Sequence, residues 1–188
     1  MSQIERLKAK NKEEKDAQLR DWFSSVDTDE SGKISVEELR AALMNGDWTP
    51  FDAATVKMLM NIYDTDRSGY IEFEEFAGLW RYVEHWQVVF NHFDKDKSGT
   101  IDGEELADAM LRLGFHVKSK ALSLLQKKYA VVPRNKEGGS AVLTFDHFLQ
   151  CCVAVKTLSQ SFERLDTNHE SSVTLDLDTF MCTFLAVA

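Results

Sequence analysis

The sequence predicts an all-α protein of five consecutive helix–loop–helix units whose loops pair through short β ladders. Three observations carry that prediction. Twelve-residue segments of one grammar begin at Asp27, Asp64 and Asp94. Apolar residues at helical spacing flank each of them. The loop starts recur every ~30 to 37 residues, and the same period projects to two altered loops near residues 130 and 166.

Residues 1–17 form a charged lead that alternates Lys, Arg and Glu around two apolar anchors, Ile4 and Leu7. It reads as a frayed polar helix or a flexible segment ahead of a repeat domain over 18–188. It has no apolar stretch of the signal-peptide kind. Ser2 stands where N-myristoylation needs glycine. The first hand, near 19–44, begins on Leu19, Trp22, Phe23 and Val26 and leads into Asp27-Thr28-Asp29-Glu30-Ser31-Gly32-Lys33-Ile34-Ser35-Val36-Glu37-Glu38. The second, near 52–80, enters on Val56, Leu59, Met60 and Tyr63 and holds the loop Asp64–Glu75. The third, near 82–113, holds Asp94–Glu105. No proline or glycine interrupts the chain between Gly78 and Asp94, so one long helix leaves the second loop and enters the third.

These loops fit the EF-hand pattern, in which oxygens on alternate residues surround a calcium ion. Calcium is a hard cation that takes six to eight oxygens. Asp27, Asp29 and Ser31, then Asp64, Asp66 and Ser68, then Asp94, Asp96 and Ser98 supply side-chain oxygens at positions 1, 3 and 5. Lys33, Tyr70 and Thr100 supply backbone carbonyls at position 7. Ser35, Glu72 and Asp102, at position 9, ligate directly or through a water. Glu38, Glu75 and Glu105 close each shell with two oxygens, and glycine at position 6 makes the sharp turn. Three calcium sites are expected, with magnesium competing for them.

The fourth hand, near 119–153, keeps its helices and an apolar residue, Leu143, but has no paired acids between Ala130 and Ala141. It reads as a hand that has lost its ion. The fifth, near 157–188, offers Asp166, Asn168 and Glu170, with Ser171 in place of the turn glycine and Leu177 in place of the closing glutamate. That site is weak or empty. EF-hands pair across their position-8 residues, so Ile34 is expected to meet Ile71, and Ile101 to meet Leu143. Val173 is then left for a second chain. An isologous dimer through the fifth hand follows, with Val173, Phe180 and Phe184 in the contact.

Composition bounds the function. The chain has 188 residues, 44% hydrophobic and 28% charged, with two prolines and nine glycines. A net charge of −9 disfavours a nucleic-acid partner. No apolar run is long enough to span a membrane. Three cysteines, two of them adjacent, make no disulfide framework, and a reducing compartment fits. No nucleophile–base spacing or phosphate-cradling loop points to an enzyme.

The segments Asn45-Gly46-Asp47-Trp48-Thr49-Pro50-Phe51, Trp80-Arg81-Tyr82, Trp86-Gln87-Val88-Val89-Phe90 and Asp166-Thr167-Asn168 resemble the penta-EF-hand family over about residues 18–188. The resemblance implies a homodimer, or a heterodimer with a related penta-EF-hand chain. It implies a cytoplasmic or nuclear calcium sensor whose contact with membranes is indirect or calcium-dependent. It also implies apolar pockets that capture Pro-rich adaptors of membrane traffic, membrane repair or cell-death signalling; Trp48, Trp80, Trp86 and Phe115 are the candidate lining residues, and core packing is the equal alternative for the tryptophans. Two alternatives stay open at this point: a regulatory subunit of a calcium-dependent cysteine protease, and a passive calcium buffer.

Overall fold

The computed structural model describes the backbone of residues 3–132 and 141–187, and the side chains of residues 14–132 and 141–183. Among the described residues eight helices follow in order: α1 (Gln3–Val26), α2 (Val36–Ala42), α3 (Ala53–Tyr63), α4 (Phe73–Phe93), α5 (Gly103–Arg112), α6 (Ser119–Tyr129), α7 (Phe145–Leu165) and α8 (Leu177–Val187). The long shared helix expected between the second and third loops is α4. A second one, α7, joins the fourth and fifth hands in the same way. The backbone of the charged lead is helical from Gln3 and continuous with the first entering helix.

Two compact units divide the chain, residues 1–89 and 90–188. The first has its core where Phe23 of α1 meets Phe73 and Phe76 of α4 edge-on, at ring separations of 5.7 and 5.5 Å. Ile34, Leu39, Phe51, Val56, Leu59, Ile71 and Leu79 are fully or almost fully buried around it. In the second unit Phe90 stands edge-on to Phe145 and Phe148 at 5.5 and 5.6 Å. Ile101, Leu106, Met110, Leu143, Leu149, Cys151 and Cys152 complete that core. Burial pushes the Cys151 thiol up to about 12 and the Cys152 thiol well above its ordinary value. Both are inert packing residues, as a pair on different sides of one helix should be.

The ladders are single bridges. Ile34 and Ile71 exchange two backbone hydrogen bonds of 2.9 and 2.8 Å, and Ile101 and Leu143 exchange two of 2.8 Å. These are the position-8 pairings the sequence predicts. A further bridge, Val131 to Val142, lies beside the second one. Helix α5 ends in a left-handed Gly114 (φ +87°), and the Phe115 amide returns to the Met110 carbonyl at 2.8 Å. That closure satisfies the last carbonyls of the helix. No helix among the described residues is long and apolar enough to cross a membrane.

Candidate metal centres

Three carboxylate clusters form where the sequence places them. Asp27, Asp29 and Glu38 bring one oxygen each to within 4.8 Å of one another, as do Asp64, Asp66 and Glu75, and Asp94, Asp96 and Glu105. The backbone explains how. Position 4 of each loop is left-handed (Glu30 φ +57°, Arg67 +57°, Lys97 +58°), and so is the position-6 glycine (Gly32 +80°, Gly69 +80°, Gly99 +77°). That pair of turns aims the amides of positions 5 and 6 inward at the first aspartate. Ser31 and Gly32 donate to Asp27 at 2.9 and 2.8 Å, Ser68 and Gly69 to Asp64 at 2.9 Å each, and Ser98 and Gly99 to Asp94 at 2.9 and 3.0 Å.

The closing glutamate is held just as uniformly. Its Oε1 accepts from the position-2 amide (Thr28, Thr65 and Lys95, each 2.8 Å). Its Oε2 accepts from the position-9 amide (Ser35 2.9 Å, Glu72 3.0 Å, Asp102 3.1 Å). Each exit helix is thereby fastened to both ends of its loop. Ser35 and Asp102 also cap α2 and α5 with their side chains.

At Glu38, Glu75 and Asp66 such hydrogen bonds favour the ionised carboxylate. The Ser35 amide and hydroxyl, with the Thr28 hydroxyl, lower Glu38 to about 2. Burial works against Glu75, but the amides of Glu72 and Thr65 outweigh it and lower its carboxyl. The Ser68 hydroxyl does most to lower Asp66, and the Lys33 ammonium adds to it. Three ionised carboxylates this close repel one another, and a divalent cation with a demand for many oxygens relieves that. The donor set therefore fits calcium.

Glu38 gives a direct check in calcium-free protein. Its folded value lies below its unfolded one, so its contribution to stability is present above the unfolded value of 4.5 and is lost as pH falls toward about 2. A ¹³C side-chain titration is expected to show Glu38 ionised through pH 4, where an ordinary glutamate is mostly protonated. A midpoint near 4.5 would contradict the Ser35–Glu38 capping geometry.

The fifth loop keeps the first half of this architecture. His169 and Ser171 are left-handed at φ +56° and +58°, and Asp166 accepts from Glu170 at 3.1 Å and Ser171 at 2.9 Å. Ser171 thus carries the backbone of the missing turn glycine. The second half corrects the sequence reading. In the first three loops the helix starts at position 10. Here α8 starts two residues later, at Leu177, with the Asp176 carboxylate accepting from the Thr179 amide at 2.7 Å. Thr179, not Leu177, therefore stands in the closing place, three residues after its cap. Leu177 points to solvent at 77% exposure. A threonine is too short to supply the bidentate carboxylate. In the fourth hand His147 holds the closing place, hydrogen-bonded to Thr144 at 2.8 Å. Residues 133–140 of that loop lie outside the described residues.

The proposed pocket residues are dispersed. Trp48 is 85% exposed, in a tight turn at φ +64°. Trp86 is half-buried beside Tyr82, at a ring separation of 6.1 Å. Phe115 is half-buried in the second unit. Trp80 packs on Trp22 at 4.7 Å with the rings tilted by 48°, and the two line a cleft of about 650 Å³ with Val26, Ala41, Ala42 and Glu38. Neither Trp48 nor Trp86 lines that cleft. The Trp80 indole N–H is buried there with no hydrogen-bond partner among the described residues. Of the residues expected in the dimer contact, Phe180 is 53% exposed, Val173 is half-buried, and the Phe184 side chain lies outside the described residues.

Comparison with known proteins agrees with this geometry. Residues 7–81 match an EF-hand domain pair and residues 85–113 an EF hand domain. A sorcin of Schistosoma japonicum is 40% identical over 90% of this chain and 95% of its own length. A peflin of Xenopus laevis is 33% identical over 85% of this chain and 55% of its own. The chain thus spans about half the length of the peflins it matches. A solved homologue of programmed cell death 6 protein from Leishmania major superposes with a TM-score of 0.75 at 32% identity, over 90% of this chain and 94% of that one. With its five helix–loop–helix units and ion-ready loops, the chain belongs to the penta-EF-hand family of calcium-binding proteins and is not an enzyme.

Proposed function

We propose that the protein is a calcium sensor and adaptor that binds three calcium ions, in its first, second and third loops, and then captures Pro-rich segments of partner proteins. The observation that carries this is the fastening of Glu38, Glu75 and Glu105 to both ends of their loops. Any turn of these carboxylates onto an ion is transmitted to the start of an exit helix. When bound, calcium supplies two positive charges and a demand for six to eight oxygens.

The cleft at Trp22 and Trp80 supports the capture step. It borders Glu38, so a movement of α2 reshapes its wall. It is mostly apolar, and the partnerless Trp80 indole N–H buried behind its wall would be uncovered for a peptide carbonyl only by a movement of that wall. A polyproline II segment presents apolar rings and free carbonyls, and suits such a wall. The exposed Trp48 is a second anchor. Dimerisation belongs to the same proposal. Leu177, Phe180 and Met181 of α8, with Leu158 and Phe162 of α7, leave an apolar surface at the fifth hand. Val173, two residues after Ser171 as Ile34 is after Gly32, would form a ladder with its equivalent in a second copy or a related chain. A dimer would present two capture sites, and bivalent partners would gain from both. The setting is the cytoplasm, with calcium-driven recruitment to membrane-traffic or cell-death adaptors.

Calorimetry with a synthetic Pro-rich peptide, with calcium and with chelator, tests the reading alongside size-exclusion light scattering. Three calcium ions per chain, calcium-dependent peptide binding and a dimer mass are expected. Peptide binding that ignores calcium would sink the sensor mechanism. Recovery only of a cysteine-protease chain from calcium-dependent pull-downs would replace the adaptor reading with a regulatory-subunit role.

A further inference from the structure

We propose that Lys33 of the first loop sets the calcium affinity of the second loop by holding the Glu72 carboxylate away from the ion. The inference rests on the second loop being a calcium site. The Ile34–Ile71 bridge fixes the register of the two loops, so position 7 of the first lies opposite position 9 of the second. Those residues are Lys33 and Glu72, and the Lys33 ammonium sits 3.3 Å from Glu72 Oε1.

The other position-9 side chains are engaged differently. The Ser35 hydroxyl accepts from the Glu38 amide at 3.2 Å, and Asp102 accepts from the Glu104 and Glu105 amides at 2.8 and 2.9 Å. Each already faces its own loop and helix. The ladder sets Ser35 opposite Tyr70 and Asp102 opposite Val142, so neither has a cation across from it. Glu72 alone of the three is paired across the ladder. Position 9 contributes to ligation directly or through a water, so a carboxylate held by a neighbour is a ligand partly withdrawn.

Two effects act in the same direction. Lys33 competes with the ion for Glu72, and its charge disfavours a further cation nearby. Both side chains are about half exposed, at 44% and 52%, so solvent and salt screen the pair and the effect is modest. The Lys33 carbonyl, which serves the first loop, is unchanged by substitution of the side chain. Consequently Lys33 makes the second site weaker than its ligand list alone would, and quicker to release its ion.

The position-6 glycines give a separate readout for each loop. Gly32, Gly69 and Gly99 each donate an amide hydrogen bond to the first aspartate of their own loop. Calcium titrations of the full chain followed by ¹H–¹⁵N NMR at these three amides are the test. In Lys33→Gln, the Gly69 midpoint is expected to fall about threefold to fivefold, while Gly99 stays unchanged. In Lys33→Gln/Glu72→Gln, Gly69 is expected to return close to its wild-type midpoint. The Lys33→Gln gain is also expected to shrink in 0.5 M KCl, on the order of twofold or more. Equal Gly69 midpoints in wild type and Lys33→Gln would overturn the inference and leave the second site standing. A gain that survives Glu72→Gln would overturn the role of Glu72 and assign the effect to charge alone. A Gly69 amide that calcium never shifts would remove the second site, and this inference with it.

Discussion

Glu105→Gln is expected to weaken calcium binding at the third loop on the order of a hundredfold, with the first and second loops nearly unaffected. The substitution keeps the shape of the side chain and removes its charge. One of its two terminal atoms becomes an amide nitrogen. In the native loop both atoms accept hydrogen bonds, from Lys95 at 2.8 Å and from Asp102 at 3.1 Å. A donor in either place faces another donor, so the side chain must turn or lose a bond. The ion loses its only bidentate ligand as well. Glu105 is buried and stands beside Asp94, itself 4% exposed, so bulk water is poorly placed to replace the missing oxygens. Loss of the Gly99 amide shift at calcium levels that saturate Gly32 and Gly69 is the expected observation. An unchanged Gly99 titration would refute the loop assignment.

Peptide capture should fall less than calcium binding in that variant. The cleft at Trp22 and Trp80 adjoins Glu38, a ligand of the first loop, and shares no residue with the third. The same substitution at Glu38 is therefore the one expected to abolish capture. The pair of variants separates calcium bound anywhere from calcium bound where a groove wall can move.

Much of this could be read from the sequence because the chemistry is local. Six ligand positions and a glycine within twelve residues specify a loop whatever surrounds it, and three such loops fix a period that finds two degraded ones. The ladder pairs Ile34–Ile71 and Ile101–Leu143 followed from the position-8 rule. The fifth hand was misread in its second half for a physical reason. Counting residues assumes that the exit helix begins at position 10, but the start is set by whichever residue caps it. Asp176 caps two residues late, and this moves Thr179 into the closing place. The Lys33–Glu72 pair and the Trp22–Trp80 cleft were not legible, because each joins side chains far apart in the chain. The alternation of ladder faces could have revealed the first. Nothing at the level of spacing reveals the second.

Phe148→Ala is expected to destabilise the calcium-free second unit by about 3–5 kcal/mol in chemical denaturation, the usual cost of removing a fully buried ring. Phe148 is entirely buried on α7 and stands edge-on to Phe90 at 5.6 Å. Phe90 is in the last turn of α4, and its carbonyl accepts from the Asp94 amide at 2.9 Å. The ring therefore braces the helical turn that delivers the first ligand of the third loop. The stability loss alone says little about function. What distinguishes a sensor is whether calcium changes the packing around Phe148. If ion binding draws Glu105 and Asp94 inward and opens the hand, the Phe90–Phe148 contact is worth more without calcium than with it. Removing the contact then costs the calcium-free state more, and linkage requires tighter calcium binding, by about threefold or more at Gly99. In a buffer hand, which opens little, the contact is equally good in both states and the affinity does not move. Tighter binding in a less stable protein is the outcome expected here. The full loss of stability with an unchanged Gly99 midpoint would overturn the sensor reading in favour of a passive buffer.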